Sequence, residues 1–362
     1  METLTARAST VTPVVQRAMA ANRPIFLWGA PGIGKSELVE GIVEAQPGNN
    51  LMIDMRLALM EPTDLRGYPF RNPDTNQMEW APAVDLPTME QAALYDLIVL
   101  FLDELNSAPP SVQAAAYQLI LNGKIGQYTL PSNVRIVAAG NRETDRGVTY
   151  RMPAPLANRF RHINMEVNFE DWSVWATSNK VHPDVIGYLT YSKADLFDFD
   201  PKTSSQSFAT PRSWNFVSEI LATAGFDTAP DYEQKVEIAG AIGEGMAIKF
   251  CEHRKIASKL PNPEDVLKGL VKKLDIKEKS AQYSFAIGLC YELAALADGD
   301  AGIFDKGVDY FFDFIMANFE PELVIFSAKT VLSDHDIDIK PRKLQGKKEF
   351  KDRYWKYLFP AS

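Results

Sequence analysis

The chain has 362 residues, of which 46% are hydrophobic and 23% charged, and its formal net charge is −9. This length suggests two or three domains, and the composition is typical of soluble globular proteins. No stretch approaches 18 consecutive apolar residues, so we expect no membrane span, and the acidic balance argues against broad coverage of a nucleic-acid backbone. An N-terminus without an apolar signal segment, and two distant cysteines among hydrophobic residues, favour a cytoplasmic protein.

The first half of the chain alternates short apolar runs with helical patterns. The runs are rich in Ile, Val, Leu and Phe, as are strands buried on both faces of a parallel sheet. They lie at residues 24–28, 51–59, 96–103, 134–140 and 161–167. This alternation predicts an α/β domain over residues 1–170, with a parallel five-stranded sheet and right-handed crossovers.

The strand signal disappears after about residue 168, and the second half of the chain is predicted to be helical. Five segments have helical spacing of apolar residues: 183–192, 212–225, 232–254, 263–275 and 281–298. We therefore expect an α-helical domain over residues 171–300 and a C-terminal extension over 301–362. The tail at 340–359 is basic with interleaved aromatics, which favours a terminal helix with a core-facing aromatic stripe over a nucleic-acid contact.

A phosphate-binding loop follows the first predicted strand and opens a predicted helix. Its fixed positions fit G-x-x-x-x-G-K-[ST]. The loop consists of Gly29, Ala30, Pro31, Gly32, Ile33, Gly34, Lys35 and Ser36. Glycines let successive backbone N–H groups turn inward around an anion, Lys35 can reach the β- and γ-phosphates, and Ser36 can ligate Mg²⁺. The pattern predicts a site for a nucleoside triphosphate with Mg²⁺.

Polar residues end the next two strands. Asp103 and Glu104 follow the apolar run at 96–103, where Asp103 can hold Mg²⁺ and Glu104 can polarise a water for attack on the γ-phosphorus. That chemistry indicates hydrolysis rather than transfer to a second substrate. Asn141 follows the run at 134–140, where its amide could orient the same water.

Two further positions carry arginines that could act on the nucleotide. Arg159 lies just before the fifth strand and is a candidate arginine finger for a neighbouring subunit, with Arg161 as the rival candidate. Arg212 lies beside Pro211 at the start of a predicted helix, where a positive charge opposes the helix dipole, and it could reach the nucleotide from the helical domain.

Taken together, these motifs resemble the AAA+ ATPases, specifically the MoxR branch near the chelatase group. The sharper marks are EPTDLRG at 61–67, DELNSAPPSVQAAAYQLILNGKIG at 103–126 and LANRF at 156–160. They are similar to the MoxR patterns P-x-D-φ-x-G, D-E-φ-N-x-A-x-x-x-x-Q and φ-x-x-R-F, where φ is apolar. The resemblance covers roughly residues 10–225.

The resemblance implies an AAA+ P-loop fold with an α-helical lid, assembled as a homo-oligomer, a hexameric ring that binds ATP and Mg²⁺ between subunits. It assigns Walker A to the loop from Gly29, Walker B to Asp103 and Glu104, sensor 1 to Asn141, the finger to Arg159 and sensor 2 to Arg212. It also implies remodelling of, or cofactor loading into, target proteins together with a partner that contains a von Willebrand factor A (VWA) domain.

This chain departs from the family pattern at two positions. Asn158 stands where family members often have Asp before the finger arginine, and Ser107 stands where a basic residue commonly follows the Walker B Asn. Neither departure removes a catalytic group, although the second leaves one positive charge fewer near the site.

Two other functions compete with a remodelling ATPase. A nucleic-acid motor or loader is supported by the basic aromatic tail and opposed by the acidic net charge and the MoxR marks. A scaffold that binds ATP and barely turns it over is opposed by the presence of Glu104 and Arg159. The histidines lack the spacing of a zinc site, so no metal other than Mg²⁺ is expected.

Overall fold

A computed structural model describes residues 4–145, 150, 152–202, 206–223, 231–257, 259–297, 301–334 and 348–358. The chain divides into two compact units, which we call the first unit and the second unit. The first unit is Met1–Asn168 with Asp200–Ser204, and the second unit is Phe169–Phe199 with Ser205–Ser362. Each unit has its own hydrophobic core, and each is described here by itself.

The first unit is built on a parallel sheet, as predicted. Its strands are β1 Thr5–Ala6, β2 Ile25–Trp28, β3 Asn50–Arg56, β6 Leu97–Asp103, β9 Val134–Gly140 and β10 Arg161–Met165. Four further strands form two separate hairpins: β4 Tyr68–Arg71 with β5 Met78–Ala81, and β7 Lys124–Ile125 with β8 Tyr128–Thr129. The sheet order is β1-β10-β2-β9-β6-β3, with every pair parallel. The five predicted strands are confirmed, and the two-residue strand β1 adds a sixth at the edge.

The central strands are buried on both faces, which explains their unbroken apolar sequences. In β6, the residues from Ile98 to Leu102 are fully buried, and a strand that contacts core on both sides needs no polar alternation. Because all strands run in the same direction, their carboxyl ends meet at one edge of the sheet. That edge places the residues after β2, β6 and β9 next to one another.

Six α-helices accompany the sheet in the described residues of the first unit. They are α1 Ala8–Ala20, α2 Lys35–Glu44, α3 Pro62–Arg66, α4 Met89–Ala92, α5 Pro110–Asn122 and α6 Ala154–Ala157. The predicted helix at 111–123 is confirmed as α5, which ends at Gly123 with φ of 62°. A left-handed glycine after the last helical residue is a common helix stop because it has no Cβ to clash.

The second unit is helical in the described residues. Its helices are α7 Phe169–Ser178, α8 Pro183–Tyr191, α9 Pro211–Ala222, α10 Tyr232–Ile242, α11 Glu244–Ala257, α12 Pro263–Leu267, α13 Lys279–Ala297, α14 Ala301–Asn318, α15 Pro321–Lys329 and α16 Lys348–Leu358. No helix among these or in the described part of the first unit has the combined length and hydropathy of a membrane-spanning segment.

Two predicted helices are shorter than expected, and a glycine interrupts each. The prediction of one helix over 232–254 is wrong, because Gly243 has φ of 86° and separates α10 from α11. The prediction of a helix over 263–275 is also wrong beyond Leu267, and Gly269 has φ of 73° just after it. An apolar periodicity continues across such a break, so periodicity alone could not locate it.

The core of the second unit draws on helices before and after residue 300. Phe285 of α13, Phe311 of α14 and Phe350 of α16 belong to one cluster of buried residues. In α16, Phe350 and Tyr354 are buried one turn apart, whereas Arg353 is exposed, which is the core-facing aromatic stripe expected for the tail. Residues 340–347 and 359 of that tail lie outside the described residues. The division into three domains at residues 170 and 300 stays a prediction.

Candidate active site

The loop after β2 has the backbone that a phosphate cradle needs. Gly32 has φ of 74° and Gly34 has φ of 86°, both in the left-handed region that favours glycine. Gly29 is held by a different constraint, because a Cβ on it would lie 2.3 Å from Cδ1 of Ile33. The Gly29 N–H also donates to the Gly140 carbonyl at 3.2 Å, which joins the loop to the end of β9.

Lys35, the first residue of α2, is 8% exposed and lies at the centre of the loop. Its ammonium donates to the carbonyl oxygens of Gly29 at 2.8 Å and Ala30 at 3.0 Å, and to Oδ1 of Asn141 at 3.3 Å. One cation therefore connects the Walker A loop with the residue that follows β9. The predicted sensor residue lies beside the predicted phosphate-binding lysine.

The predicted magnesium ligands also lie together. The Ser36 hydroxyl donates to Oδ2 of Asp103 at 3.5 Å, and Oδ1 of Asp103 accepts the backbone N–H of Glu104 at 2.8 Å. The Asp103 carboxylate is thereby fixed from both sides at the end of β6. A hydroxyl and a carboxylate at this separation are oxygen ligands of the kind that Mg²⁺ prefers.

A second carboxylate, that of Asp54, lies near Asp103 at this edge of the sheet. Asp54 on β3 lies one strand away from Asp103, and its pKa is raised, first by burial and then by the negative charge of Asp103. Burial and the Asp103 charge both disfavour the ionised form of Asp54, and a bound divalent cation would relieve the repulsion between the two carboxylates. The sequence analysis missed Asp54 because it stands inside an apolar run rather than at its end.

Glu104 has a backbone conformation that L-residues rarely adopt, with φ of 55°. Its carboxylate is half-buried and makes no hydrogen bond or ion pair within the described residues. A non-glycine residue in the left-handed region costs about 1 kcal/mol, and such strain persists where the surrounding structure imposes it. The conformation turns Glu104 out of the strand direction immediately after Asp103.

Asn106 is a site residue that the sequence analysis quoted within a motif but gave no role. It is 1% exposed, and its Nδ2 donates to the Asn141 carbonyl at 2.8 Å. Its Oδ1 approaches Gly140 so closely that a Cβ there would lie 2.1 Å away. Asn106 thus fixes the backbone that carries Asn141. An asparagine two residues after a Walker B glutamate was the available signal.

Arg159 and Arg161 are both exposed, and neither side chain makes an ion pair or hydrogen bond among the described residues. The backbone of Arg159 belongs to a turn after α6, where its N–H donates to the Leu156 carbonyl at 3.0 Å. Arg161 is the first residue of β10, and its N–H donates to the Pro24 carbonyl at 3.0 Å. Arg159 therefore lies on a turn and Arg161 on the sheet.

Arg212 belongs to the second unit. It follows Pro211 in the first turn of α9, which is capped by Thr210 through a hydrogen bond from the Ser213 N–H at 3.1 Å. The structure thus confirms the predicted helix start. The role of Arg212 on the nucleotide stays a prediction.

The described ranges contain no group of three His, Cys, Asp or Glu side chains that could hold a metal ion. The predicted Mg²⁺ ligands from the protein are one hydroxyl and one carboxylate, those of Ser36 and Asp103, with the phosphates as further oxygen donors.

Comparison with known proteins gives the family of this site. The model of the AAA domain (dynein-related subfamily) matches residues 24–160, which run from the start of β2 to the turn that holds Arg159. Residues 24–160 are an AAA domain. The parallel AAA+ P-loop fold is confirmed, and this segment is an ATPase domain.

Midasin from Giardia intestinalis is 30% identical over 173 residues, which are 46% of this chain and 3% of that protein. This chain therefore spans only a small part of the length of that relative. The solved structure of NtrX from Brucella abortus is 13% identical, with 86% of this chain and 69% of that chain covered at a TM-score of 0.38. A RuvB variant from Thermotoga maritima is 15% identical, with 73% of this chain and 75% of that chain covered at a TM-score of 0.36.

Proposed function

We propose that this protein hydrolyses ATP at a site shared between subunits of a ring and uses the reaction to remodel partner proteins. One observation carries the proposal. At the same edge of the sheet, Nζ of Lys35 lies 3.3 Å from Oδ1 of Asn141, and Oγ of Ser36 lies 3.5 Å from Oδ2 of Asp103. Residues from three separate strand ends thereby meet in the arrangement that triphosphate hydrolysis needs.

Binding is assigned to the loop, Lys35, Ser36 and Asp103. The N-terminus of α2 and the buried ammonium of Lys35 would provide fixed positive charge for the β- and γ-phosphates. Ser36 and Asp103 would hold Mg²⁺, which when bound neutralises charge on the phosphate oxygens. The neighbouring carboxylates of Asp54 and Asp103 favour such a cation.

Water activation is assigned to Glu104 and Asn141. Glu104 leaves the end of β6 with a half-buried carboxylate that has no hydrogen-bond partner among the described residues, so it is available to accept a proton from water. Asn141 orients that water with its amide, and Lys35 and Asn106 hold Asn141 from its side chain and its backbone.

Assembly is assigned to the exposed turn after α6. A side chain such as that of Arg159, which is exposed and has no partner among the described residues, can extend to the phosphates of a neighbouring subunit, where it would stabilise charge in the transition state. Arg212 would act on the nucleotide as sensor 2. The resemblance to the MoxR branch supports a hexameric ring and a VWA-domain partner. The free, buried thiols of Cys251 and Cys290 support a cytoplasmic location.

The first experiment separates binding from hydrolysis. Glu104→Gln should retain ATP with Mg²⁺ and lose at least a hundredfold in steady-state hydrolysis, because the amide cannot accept the proton. Lys35→Ala should lose ATP binding as well as hydrolysis. Nucleotide titration and phosphate release measure the two properties, and normal hydrolysis by Glu104→Gln would contradict the assigned base.

The second experiment tests the shared site. Arg159→Ala subunits have an intact loop and no finger, whereas Lys35→Ala subunits have a finger and no functional loop. A mixture should regain hydrolysis that neither variant shows alone, because some interfaces join the intact halves. The matched control is Arg161→Ala, which should hydrolyse ATP normally. If the mixture stays inactive while Arg161→Ala is inactive too, the finger is misassigned.

A further inference from the structure

An aromatic group connects the strand that precedes the Walker A loop with the strand that follows the finger turn. Phe26 and Trp28 lie on β2, and His162 lies on the adjacent strand β10, where His162 pairs with Phe26 in register. The rings of Trp28 and Phe26 stack at 4.2 Å between centroids, and those of Trp28 and His162 stack at 5.9 Å with 24° between their planes. Phe160, the second residue before His162, packs edge-on against Phe26 at 5.4 Å.

Hydrogen bonds run through this group in one direction. The indole Nε1 of Trp28 donates to Nδ1 of His162 at 2.8 Å, and an indole nitrogen can only donate. Nδ1 therefore accepts, and the imidazole proton lies on Nε2. Nε2 then donates to the carbonyl oxygen of Ala157 at 2.8 Å. His162 has a defined tautomer because each of its two neighbours requires one role.

The carbonyl that receives this bond belongs to the turn that presents Arg159. Ala157 is the last residue of α6, and its oxygen also accepts the N–H of Phe160 at 3.2 Å. The intervening turn is closed by bonds from the Asn158 N–H to Ala154 at 3.0 Å and from the Arg159 N–H to Leu156 at 3.0 Å. His162 is thus bonded to the backbone two residues before the exposed arginine.

We propose that His162 is a positioning residue for Arg159, and that the Trp28–His162–Ala157 hydrogen bonds hold the finger turn against the strand that leads into the Walker A loop. The inference rests on the proposed function, because it requires Arg159 to act in a neighbouring subunit. Because the Ala157 carbonyl is held by His162, the backbone of the turn has one position, and the Arg159 side chain extends from that position. A misplacement of about 1 Å in such a group can cost about a hundredfold in rate.

The rings and the hydrogen bonds can be separated by substitution. His162→Phe keeps a planar ring to stack on Trp28 and removes both hydrogen bonds. His162→Gln removes the ring and retains an acceptor and a donor, so it can restore the connection. A role limited to packing would favour the Phe variant, whereas positioning through hydrogen bonds favours the Gln variant.

The experiment substitutes His162 only in the subunits that supply the finger or only in the subunits that supply the loop. The reference mixture contains Arg159→Ala subunits and Lys35→Ala subunits, so every active interface takes its loop from the first and its finger from the second. In the test mixture the finger donor is Lys35→Ala/His162→Phe, and we expect hydrolysis at least about tenfold below the reference. With Lys35→Ala/His162→Gln as the finger donor, hydrolysis should return to within about threefold of the rate of the reference mixture.

The reciprocal mixture is the matched control. It combines Arg159→Ala/His162→Phe with Lys35→Ala, so that His162 is changed only in the subunit that supplies the loop, and we expect the reference rate within about twofold. Thermal unfolding and size-exclusion chromatography establish that each variant folds and assembles like its parent.

Each outcome decides the inference. Equal hydrolysis in the test and reference mixtures would overturn it, and so would an equal loss in the reciprocal mixture, which would mean that His162 acts on its own loop through Trp28. A test mixture that fails with His162→Gln but not with His162→Phe would assign the group to packing and overturn it too. An inactive reference mixture contradicts the shared site itself, and the inference falls with it.

Discussion

One carboxylate of the first unit differs from the buried polar residues of the second unit in how far it is paired. Glu104, at the edge of the sheet, is half-buried, has a left-handed backbone and has a carboxylate without a partner in the described ranges. In the second unit, His253 lies 2.7 Å from the Ser284 hydroxyl, and Arg254 lies 2.8 Å from the Asp184 carboxylate. Glu104 is therefore available to water, whereas His253 and Arg254 are held by partners within the core.

The difference shows which signals are readable from sequence. At the edge of the sheet, each functional residue directly follows a strand or opens a helix, so a local pattern marks it. In the second unit, helices α8, α11 and α13 supply polar partners that lie 31 and 70 residues apart in the chain, so no local pattern marks them.

The largest effect is expected at Gly187, where α8 and α13 approach most closely. A Cβ on Gly187 would lie 2.3 Å from the Cα of Ser284, and backbone cannot rotate away as a side chain can. Gly187→Ala should lower the free energy of unfolding by about 3 kcal/mol, because overpacking forces the helices apart. Denaturant unfolding of the full chain, followed by circular dichroism, measures this loss.

Gly240 of α10 is the matched control, because it is also helical and has no atom within 4 Å of an added Cβ. Gly240→Ala should raise the free energy of unfolding by about 0.5–1 kcal/mol through helix propensity alone. Equal effects of the two substitutions would contradict a close contact between α8 and α13.

An intermediate effect is expected from acid. His253 is 4% exposed, and burial lowers its pKa from 6.5 to about 4. Its Nδ1 is buried without a hydrogen-bond partner in the described residues. Because the unfolded state takes up the proton first as pH falls, the stability contributed by neutral His253 is complete above pH 6.5 and is lost as pH falls toward and through 4.

When the pH falls from 8 to 5, protonation of His253 in the unfolded state should lower the free energy of unfolding by about 2 kcal/mol. The measurement compares the pH dependence of denaturant unfolding for the parent and His253→Gln, and the variant should have the flatter profile. His182→Asn is the control, because an asparagine keeps the helix cap at α8. A profile unchanged by His253→Gln would show that His253 is protonated in the folded state at pH 5.

The smallest effect is expected at Glu104. Glu104→Gly removes the Cβ that disfavours φ of 55° and should raise the free energy of unfolding by about 1 kcal/mol while it abolishes ATP hydrolysis. Glu104→Gln keeps the strained backbone and should leave stability unchanged with hydrolysis equally lost. A glycine variant no more stable than the Gln variant would show that the left-handed turn stores no strain.

The sequence by itself determined where the strands lie along the chain and which residues follow them. Apolar runs marked five of the six strands of the parallel sheet, and the AAA+ motifs marked the loop around Lys35, the acidic pair at Asp103 and the end of β9 at Asn141. These signals are local, because a buried parallel strand is apolar throughout and its first polar residue marks its carboxyl end. The two-residue strand β1 is too short to leave such a pattern.

Tertiary structure alone decided which distant residues act as pairs. The pairing of β3 with β6 brought Asp54 within electrostatic reach of Asp103, two residues along from its register partner Phe101. The close approach at Gly140 placed Asn106 against the backbone of Asn141. The bond from Trp28 to His162 joins residues 134 positions apart on adjacent strands. Such pairs have no fixed spacing in the sequence, because strand order, and not chain order, sets which residues are neighbours.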